Sequence, residues 1–315
     1  MQDTAQARTS AVVQRWSSLR SARIKHLVAG YLFLLPALIF LTLFLFYPVI
    51  YGAILSLYNY SILAPPRFIG LDNFRRLAGD PLFRVALKHS IQYLLIVPLI
   101  QVASMSLAIL VNRQIRGISF FRAAYYVPVI TAAVVVAVGW KWIFDLNYGL
   151  LNAALLQLGL ISRPIGWLTD PRFALWSIMF VTFWRGLGFY MVVYLAGLQA
   201  IPTELEEAAA IDGAGPWQRI RYVIIPLLMP TIAFATIWSS ISALKVFDEV
   251  LVMGAGSSPG GPANATMVVN LLIWVTAFDK FQFGYAAAQG LVLAGIIMIF
   301  TLFNVRFFRS GLEGN

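Results

Sequence analysis

The sequence predicts an all-α polytopic membrane protein with six transmembrane helices, and three observations carry that prediction. Of its 315 residues, 60% are hydrophobic and only 11% are charged, whereas a soluble domain is closer to half apolar and a quarter charged. Windows of the roughly 20 apolar residues needed to cross a hydrocarbon core recur near 28–50, 90–111, 121–143, 174–198, 223–246 and 285–305. Basic residues cluster, with Asp3 as the one acid among them, in the N-terminal tail and in the short loop after the second window.

Composition also excludes several chemistries. The chain has no cysteine, so disulfides and thiolate metal sites are ruled out. Its two histidines, His26 and His89, have no second histidine at helical spacing, which argues against a zinc or di-iron centre. The net charge of +10 in so apolar a chain reads as basic flanks facing anionic lipid, not as a nucleic-acid footprint.

The first element is a basic tail, residues 1–26, with Arg8, Arg15, Arg20, Arg23 and Lys25 against Asp3. It runs into "LVAGYLFLLPALIFLTLFLFYPVIY", 25 residues long, well beyond the roughly 7–15 of a signal-peptide core. This stretch is expected to remain as the first span. The second window carries Gln92 and Gln101, and the fourth carries Arg185 near its middle. An arginine there costs about 2.5–3.5 kcal/mol, while each Leu, Ile, Phe or Val returns about 0.3–0.6 kcal/mol, so insertion still wins.

Six spans place both termini on one side. The tail and the loop bearing Arg113, Arg116 and Arg122 put that side in the cytoplasm. The opposite loops are diluted by Asp72, Asp80, Asp145, Asp170, Asp248, Glu249 and Asp279. "APPRFIGLDNF" opens on a helix-breaking Pro-Pro, and Asp80-Pro81 reads as the N-cap and first residue of a helix. "MGAGSSPGGPANAT" lacks the Gly-Lys-Ser/Thr ending of a phosphate loop.

Between the fourth and fifth windows lies "ELEEAAAIDGAGPWQRIRYVIIP", a polar stretch in an oily chain. Thr203 and Glu206 have capping-box spacing, and Pro202 precedes them, predicting a helix from Glu204 to about Ile211. Gly213 then sits where a helix ends in a left-handed residue. Gly215 and Pro216 start a second helix through Trp217, Ile220 and Val223 into the fifth span. The result is two helices joined by a tight elbow. Ala208, Ala209 and Ala210 clear bulk beside Glu207, as a knob entering another protein's groove requires. The alternative is an amphipathic connector on the inner leaflet, but three consecutive alanines do not suit a lipid-facing helix.

Here the chain resembles a known family. Glu207-Ala208-Ala209, three residues, Gly213, nine residues, Val223, one residue, Ile225, Pro226 is similar to the Glu-Ala-Ala pattern of ABC importer permeases, departing only in Val223 for Ile and Ile225 for Leu. "FYPVIYGAILSLYNY", "FIGLDNFRRLAGDPLF", "AGLQAIPTELEEAAAIDGA" and "KVFDEVLVM" resemble the carbohydrate-uptake branch, of the maltose, oligosaccharide and glycerol-phosphate type. The resemblance implies a maltose-transporter-like permease domain over 27–310, a coupling-helix loop at about 199–222 and a short tail at 311–315.

It further implies that Glu207, Ala208, Ala209, Asp212 and Gly213 couple to an ATPase, with Glu207 meeting a basic residue in its cleft. The implied partners are a second permease, two ATPase subunits that bind the ATP and magnesium, and an extracytoplasmic solute-binding protein. The chain itself would hold no cofactor, catalyse nothing alone, and reside in a bacterial or archaeal cytoplasmic membrane with both termini inside. A self-sufficient secondary transporter or channel is the alternative, and it predicts acid or histidine relays and an inverted repeat, which the sequence does not display.

Polar residues within spans are candidates for a transport path: Arg185, Tyr190 and Tyr194 in the fourth, and Trp238, Ser242 and Lys245 in the fifth. Aromatic faces beside hydroxyls suit a sugar. Each also has a structural reading. Lys245 at helical spacing from Asp248 and Glu249 is expected to pair with one of them rather than hold an acidic group of the substrate. Arg185 reads as a packing or interfacial anchor, and the aromatics as belt residues.

Overall fold

The computed structural model describes residues 30–62, 64–112, 116–254 and 259–312. The basic tail and Arg113, on which the orientation rests, lie outside the described residues, as do residues 313–315. The described chain forms two units, one ending at Leu55 and one beginning at Ser56.

The first unit contributes α1, Gly30–Leu55. No residue of its apolar window is buried. Its regular turns are interrupted by a π-helical turn, Thr42–Phe46.

The second unit opens with a two-stranded antiparallel ribbon, β1 Tyr58–Ser61 and β2 Ala64–Phe68, in which Tyr58 faces Phe68 and Asn59 faces Arg67. The sequence reading did not foresee it. Pro65 and Pro66 lie in β2, and prolines are admitted to sheets at edges because they lack a donor; in a two-stranded ribbon both strands are edges. Buried Asn73 donates to the carbonyls of Ser56 at 2.8 Å and Tyr58 at 3.0 Å, tying the ribbon to α2, Asp72–Gly79.

The second span is Pro81–Val111, built as α3 Pro81–Tyr93 and α4 Ile96–Val111. The Asp80 carboxylate caps it, accepting from the Leu82 and Phe83 amides at 2.8 and 3.3 Å, with Pro81 first in the helix. The break at Leu94-Leu95 falls where Pro98 has no N–H to return to the carbonyl four residues earlier.

The third window is not one straight helix. It splits into α5 Ile118–Ile130 and α6 Ala133–Ile143, bent by 99°. Pro128 lies inside α5 and removes a rung of its ladder. Thr131 and Ala132 then adopt ψ of 135° and 134°, carrying the chain out of the helix. Among the described residues, five helices are thus long and apolar enough to span a membrane, and six if the bent pair counts as one.

After α7, Leu150–Gln157, come α8 Ala174–Gln199, the elbow helices α9 Thr203–Ile211 and α10 Pro216–Arg219, α11 Met229–Leu244 and α12 Asp248–Met253, α13 Val269–Trp274, and the last span, α14 Phe283–Leu312.

The core is where α4, α8 and α11 meet. Small residues set the approach: a side chain on Gly188 would run into the backbone carbonyl of Tyr125 on α5, and one on Gly197 would lie 2.6 Å from the Thr231 hydroxyl oxygen. Spans associate through such close contacts and interhelical hydrogen bonds, because lipid supplies no hydrophobic drive between helices. One polar node joins all three core helices. Tyr194 donates to Gln101 Oε1 at 2.6 Å, and Gln101 Nε2 donates to Ser239 Oγ at 2.8 Å and to the Ala235 carbonyl at 3.1 Å. Gln101, an oddity as a polar residue within a span, is thereby satisfied.

Candidate functional site

Two features stand out, a cavity among the spans and the polar elbow joined to the same spans. The cavity has a volume of about 500 Å³ and is lined from α4 by Ile100, from α8 by Thr182, Arg185, Phe189 and Tyr190, and from α11 and beyond by Trp238, Ser242, Lys245, Asp248 and Glu249. A break in the fifth span shapes one wall. α11 ends at Leu244, Phe247 takes φ −147° and ψ −58°, and α12 resumes at Asp248. Irregular backbone within a bundle is tolerated where it lines a cavity or is buried in protein.

Trp238 is 50% exposed and stacks on Phe234 with ring centroids 6.2 Å apart. Tyr190 lies next to the side chains of Ser239 and Ser242. The arrangement combines flat aromatic faces with hydroxyl groups at one opening, which is what a polyhydroxylated ligand with apolar C–H faces needs.

The break alters two expectations. Lys245 makes no ion pair among the described residues, because the helix stops at Leu244 and the spacing that would align it with Asp248 or Glu249 no longer applies. Glu249 instead takes Arg185, with Nη2 to Oε1 at 2.8 Å, and its side chain is only 5% exposed. The contact is a close charge pair without hydrogen-bond alignment. Arg185 therefore serves the packing of α8 against α12 and is not a free cation. Its mid-span charge is offset by a carboxylate that the sequence reading had assigned to a loop. The sign that could have located Glu249 is the apolar run continuing past it, "EVLVM", which keeps it inside the span Met229–Met253.

Five of the six proposed path residues line the cavity; Tyr194 does not. It is 1% exposed, and its hydroxyl is committed to Gln101. Glu249, Thr182 and Phe189 join the wall without having been singled out, since only the folded chain brings α8 against the segment after the break.

In the elbow, α9 ends in a Schellman closure, with the Ala214 amide donating to the Ala209 carbonyl at 2.9 Å and the Gly213 amide to the Ala210 carbonyl at 3.1 Å. Gly213 has φ +83°, which favours glycine. The start of α9 differs from expectation. The helix begins at Thr203 behind Pro202, without a side-chain cap, so Thr203 and Glu206 form no capping box. A helix that already includes Thr203 leaves that residue no N-cap geometry. One half of such a box occurs one helix later, where the Gly215 amide donates to Gln218 Oε1 at 2.7 Å. The second helix reaches α11 irregularly, through a π-helical turn Ile220–Ile224 and a turn Ile225–Leu227, as Pro226 and Pro230 dictate.

Glu207, Ala208, Asp212 and Gly213 are exposed, and Ala209 is half-buried. Ile211, Trp217 and Tyr222 beside them are 87%, 72% and 73% exposed. Acids at the tip with large apolar residues at its flanks form a surface suited to a protein groove.

Residues 83–310 match the model of the binding-protein-dependent transport system inner membrane component. The chain belongs to that family. This permease is 36% identical over 286 residues to the lactose transport system permease protein LacF of Rhizobium radiobacter, covering 90% of this chain and 94% of the relative. It is 31% identical over 275 residues to the trehalose/maltose transport system permease protein MalF of Thermococcus litoralis, covering 87% and 91%. A bacterial ABC transporter that imports the acidic polysaccharide alginate shares the fold, with a TM-score of 0.79 at 24% identity over 91% of this chain and 97% of that one. The permease is an inner-membrane component of an ABC importer, and its relatives are transporter subunits, not enzymes.

Proposed function

We propose that this permease conducts a sugar through the cavity walled by α4, α8, α11 and α12, and that the elbow converts the closure of ATPase subunits into movement of those walls. One observation carries the reading. The elbow occupies the chain between Gln199, where α8 ends, and Met229, where α11 begins, and both helices line the cavity. A displacement of the elbow is thus delivered to two walls at once. Lactose and trehalose/maltose in the names of relatives support a sugar as cargo.

In this reading a second permease completes the path. Two ATPase subunits bind ATP and magnesium and receive Glu207, Ala208, Ala209, Asp212 and Gly213. A solute-binding protein delivers cargo on the far side, as the alginate importer's complex with a ligand-bound periplasmic protein illustrates for that transporter. Both termini and the elbow face the cytoplasm, with residues 27–310 as the permease domain.

Reconstitution with these partners in vesicles tests the proposal: uptake should require ATP and the ATPase. Glu207→Ala should weaken ATPase binding without destabilising the permease, because Glu207 is exposed and makes no ion pair among the described residues. Uptake that persists without the ATPase would favour the self-sufficient transporter. Because the chain lacks cysteine, Ala208→Cys supplies a single thiol. It should react with an impermeant maleimide only from the cytoplasmic side, and labelling from outside would reverse the orientation.

A further inference from the structure

We propose that Glu249 determines the charge class of the cargo: by holding Arg185, it makes the cavity accept uncharged sugars over anionic ones. This inference rests on the cavity being the transport path. Among the described residues, four ionic side chains line the cavity, Arg185, Lys245, Asp248 and Glu249, two of each sign. Arg185 is occupied, its Nη2 lying 2.8 Å from Glu249 Oε1. Lys245 and Asp248 are exposed on the same wall and make no ion pair among the described residues. An anionic sugar approaching Lys245 therefore enters a wall that also carries the Asp248 carboxylate. It finds no second cation, because the guanidinium that could grip it in a bidentate manner is already engaged. A neutral sugar incurs neither repulsion and still has the Trp238 face and the Ser242 and Tyr190 hydroxyls.

Glu249 is placed for this role by the break in the fifth span. Among the described residues, Lys141 Nζ also approaches the Val252 carbonyl at 3.4 Å, so α12 is held at its start by Arg185 and near its end by Lys141. Removing the Glu249 charge alone would release Arg185 into the cavity and leave the wall with a net positive charge. Removing both charges would restore neutrality. A role in packing alone predicts that both changes lower transport of every sugar alike. A role in selection predicts that they move the ratio between sugars in different ways.

The test uses the complete reconstituted importer with its own solute-binding protein, so that any change in selectivity arises in this chain. The panel consists of lactose, maltose and trehalose, each paired with an analogue in which one hydroxymethyl or reducing carbon is oxidised to a carboxylate. The wild type should transport its preferred neutral sugar over the acidic counterpart. Glu249→Gln should shift that ratio toward the acid by about tenfold, chiefly through KM. Arg185→Gln combined with Glu249→Gln should return the ratio to within about threefold of wild type. A wild type that prefers the acidic member, or a Glu249→Gln ratio that does not move, overturns the proposal. Trp238→Ala separates this from failure of the path itself. If it leaves uptake of every sugar unchanged, the cavity is not the path; if it lowers uptake while the Glu249 ratio stays fixed, only the charge selection is wrong.

Discussion

Tyr194→Phe isolates one hydrogen bond in the node that joins the three core helices. The Tyr194 hydroxyl donates to Gln101 Oε1 at 2.6 Å, in surroundings where Tyr194 is 1% and Gln101 8% exposed. Deleting the hydroxyl leaves the Gln101 oxygen without its donor, which costs about 1–3 kcal/mol for a buried acceptor in a soluble core. Within a bilayer, interhelical bonds average about 0.6 and reach about 1.7 kcal/mol, since the unfolded helices also find partners. The expected loss is therefore about 1 kcal/mol.

Gln101→Leu removes three bonds but strands only the tyrosine. Ser239 Oγ keeps its bond to the Thr236 carbonyl at 3.1 Å, and the Ala235 carbonyl lies within α11. Combining both changes leaves no stranded group, so the double variant should be more stable than the sum of the singles predicts, by about 0.5–1.5 kcal/mol. Reversible unfolding of the four proteins in mixed detergent micelles measures the cycle. Additivity to within about 0.5 kcal/mol would refute the node. Because the Tyr194 hydroxyl faces Gln101 and not the cavity, Tyr194→Phe should also leave the apparent KM of uptake unchanged.

Three further outcomes are expected. Gly213→Val should strain the elbow by about 1–2 kcal/mol, purely through the backbone since nothing lies within 4 Å of the added carbon; ATP hydrolysis should continue while uptake falls, and coupled uptake would count against the hinge. Gly188→Val should push α5 away from α8 by driving a side chain into the Tyr125 carbonyl, lowering unfolding stability by about 1–3 kcal/mol in the same micelle assay. The Asp170 carboxyl is held down at about 2, against an ordinary 3.8, first by the Arg172 side chain and then by the Arg172 amide. Its stabilisation is present above the ordinary value and lost as pH falls toward 2. Trp167 fluorescence in this loop should follow that acid transition in the wild type and lose the Asp170 component in Asp170→Asn.

Some of this was legible in the chain because it depends on local physics. Apolar windows long enough to cross a bilayer need no knowledge of their neighbours, and five of the six proved continuous enough to span. The exception, at Thr131-Ala132, had Pro128 as a local sign, yet a proline in a span more often bends than breaks it, so the 99° turn required the packing of α5 on α8. Gly213 was legible for the same reason as the windows, since a helix end followed by Gly-Ala-Gly-Pro leaves few backbone choices. The Thr203–Glu206 box was misread because its spacing is necessary but not sufficient. The helix began one residue too early for the threonine to cap it.

What the sequence by itself determined is the membrane class, the places of the apolar windows, and the acidic elbow between the fourth and fifth, all of which follow from period, composition and turn chemistry along a short stretch. What only the tertiary structure decided is which polar residues meet. Arg185 and Glu249 are separated by 63 intervening residues and touch because α11 breaks, so the spacing rule that joined Lys245 to Glu249 on paper has no helix to act through. Charge pairing inside a bundle is set by which helix faces lie opposite one another, and that is a property of packing, not of order along the chain.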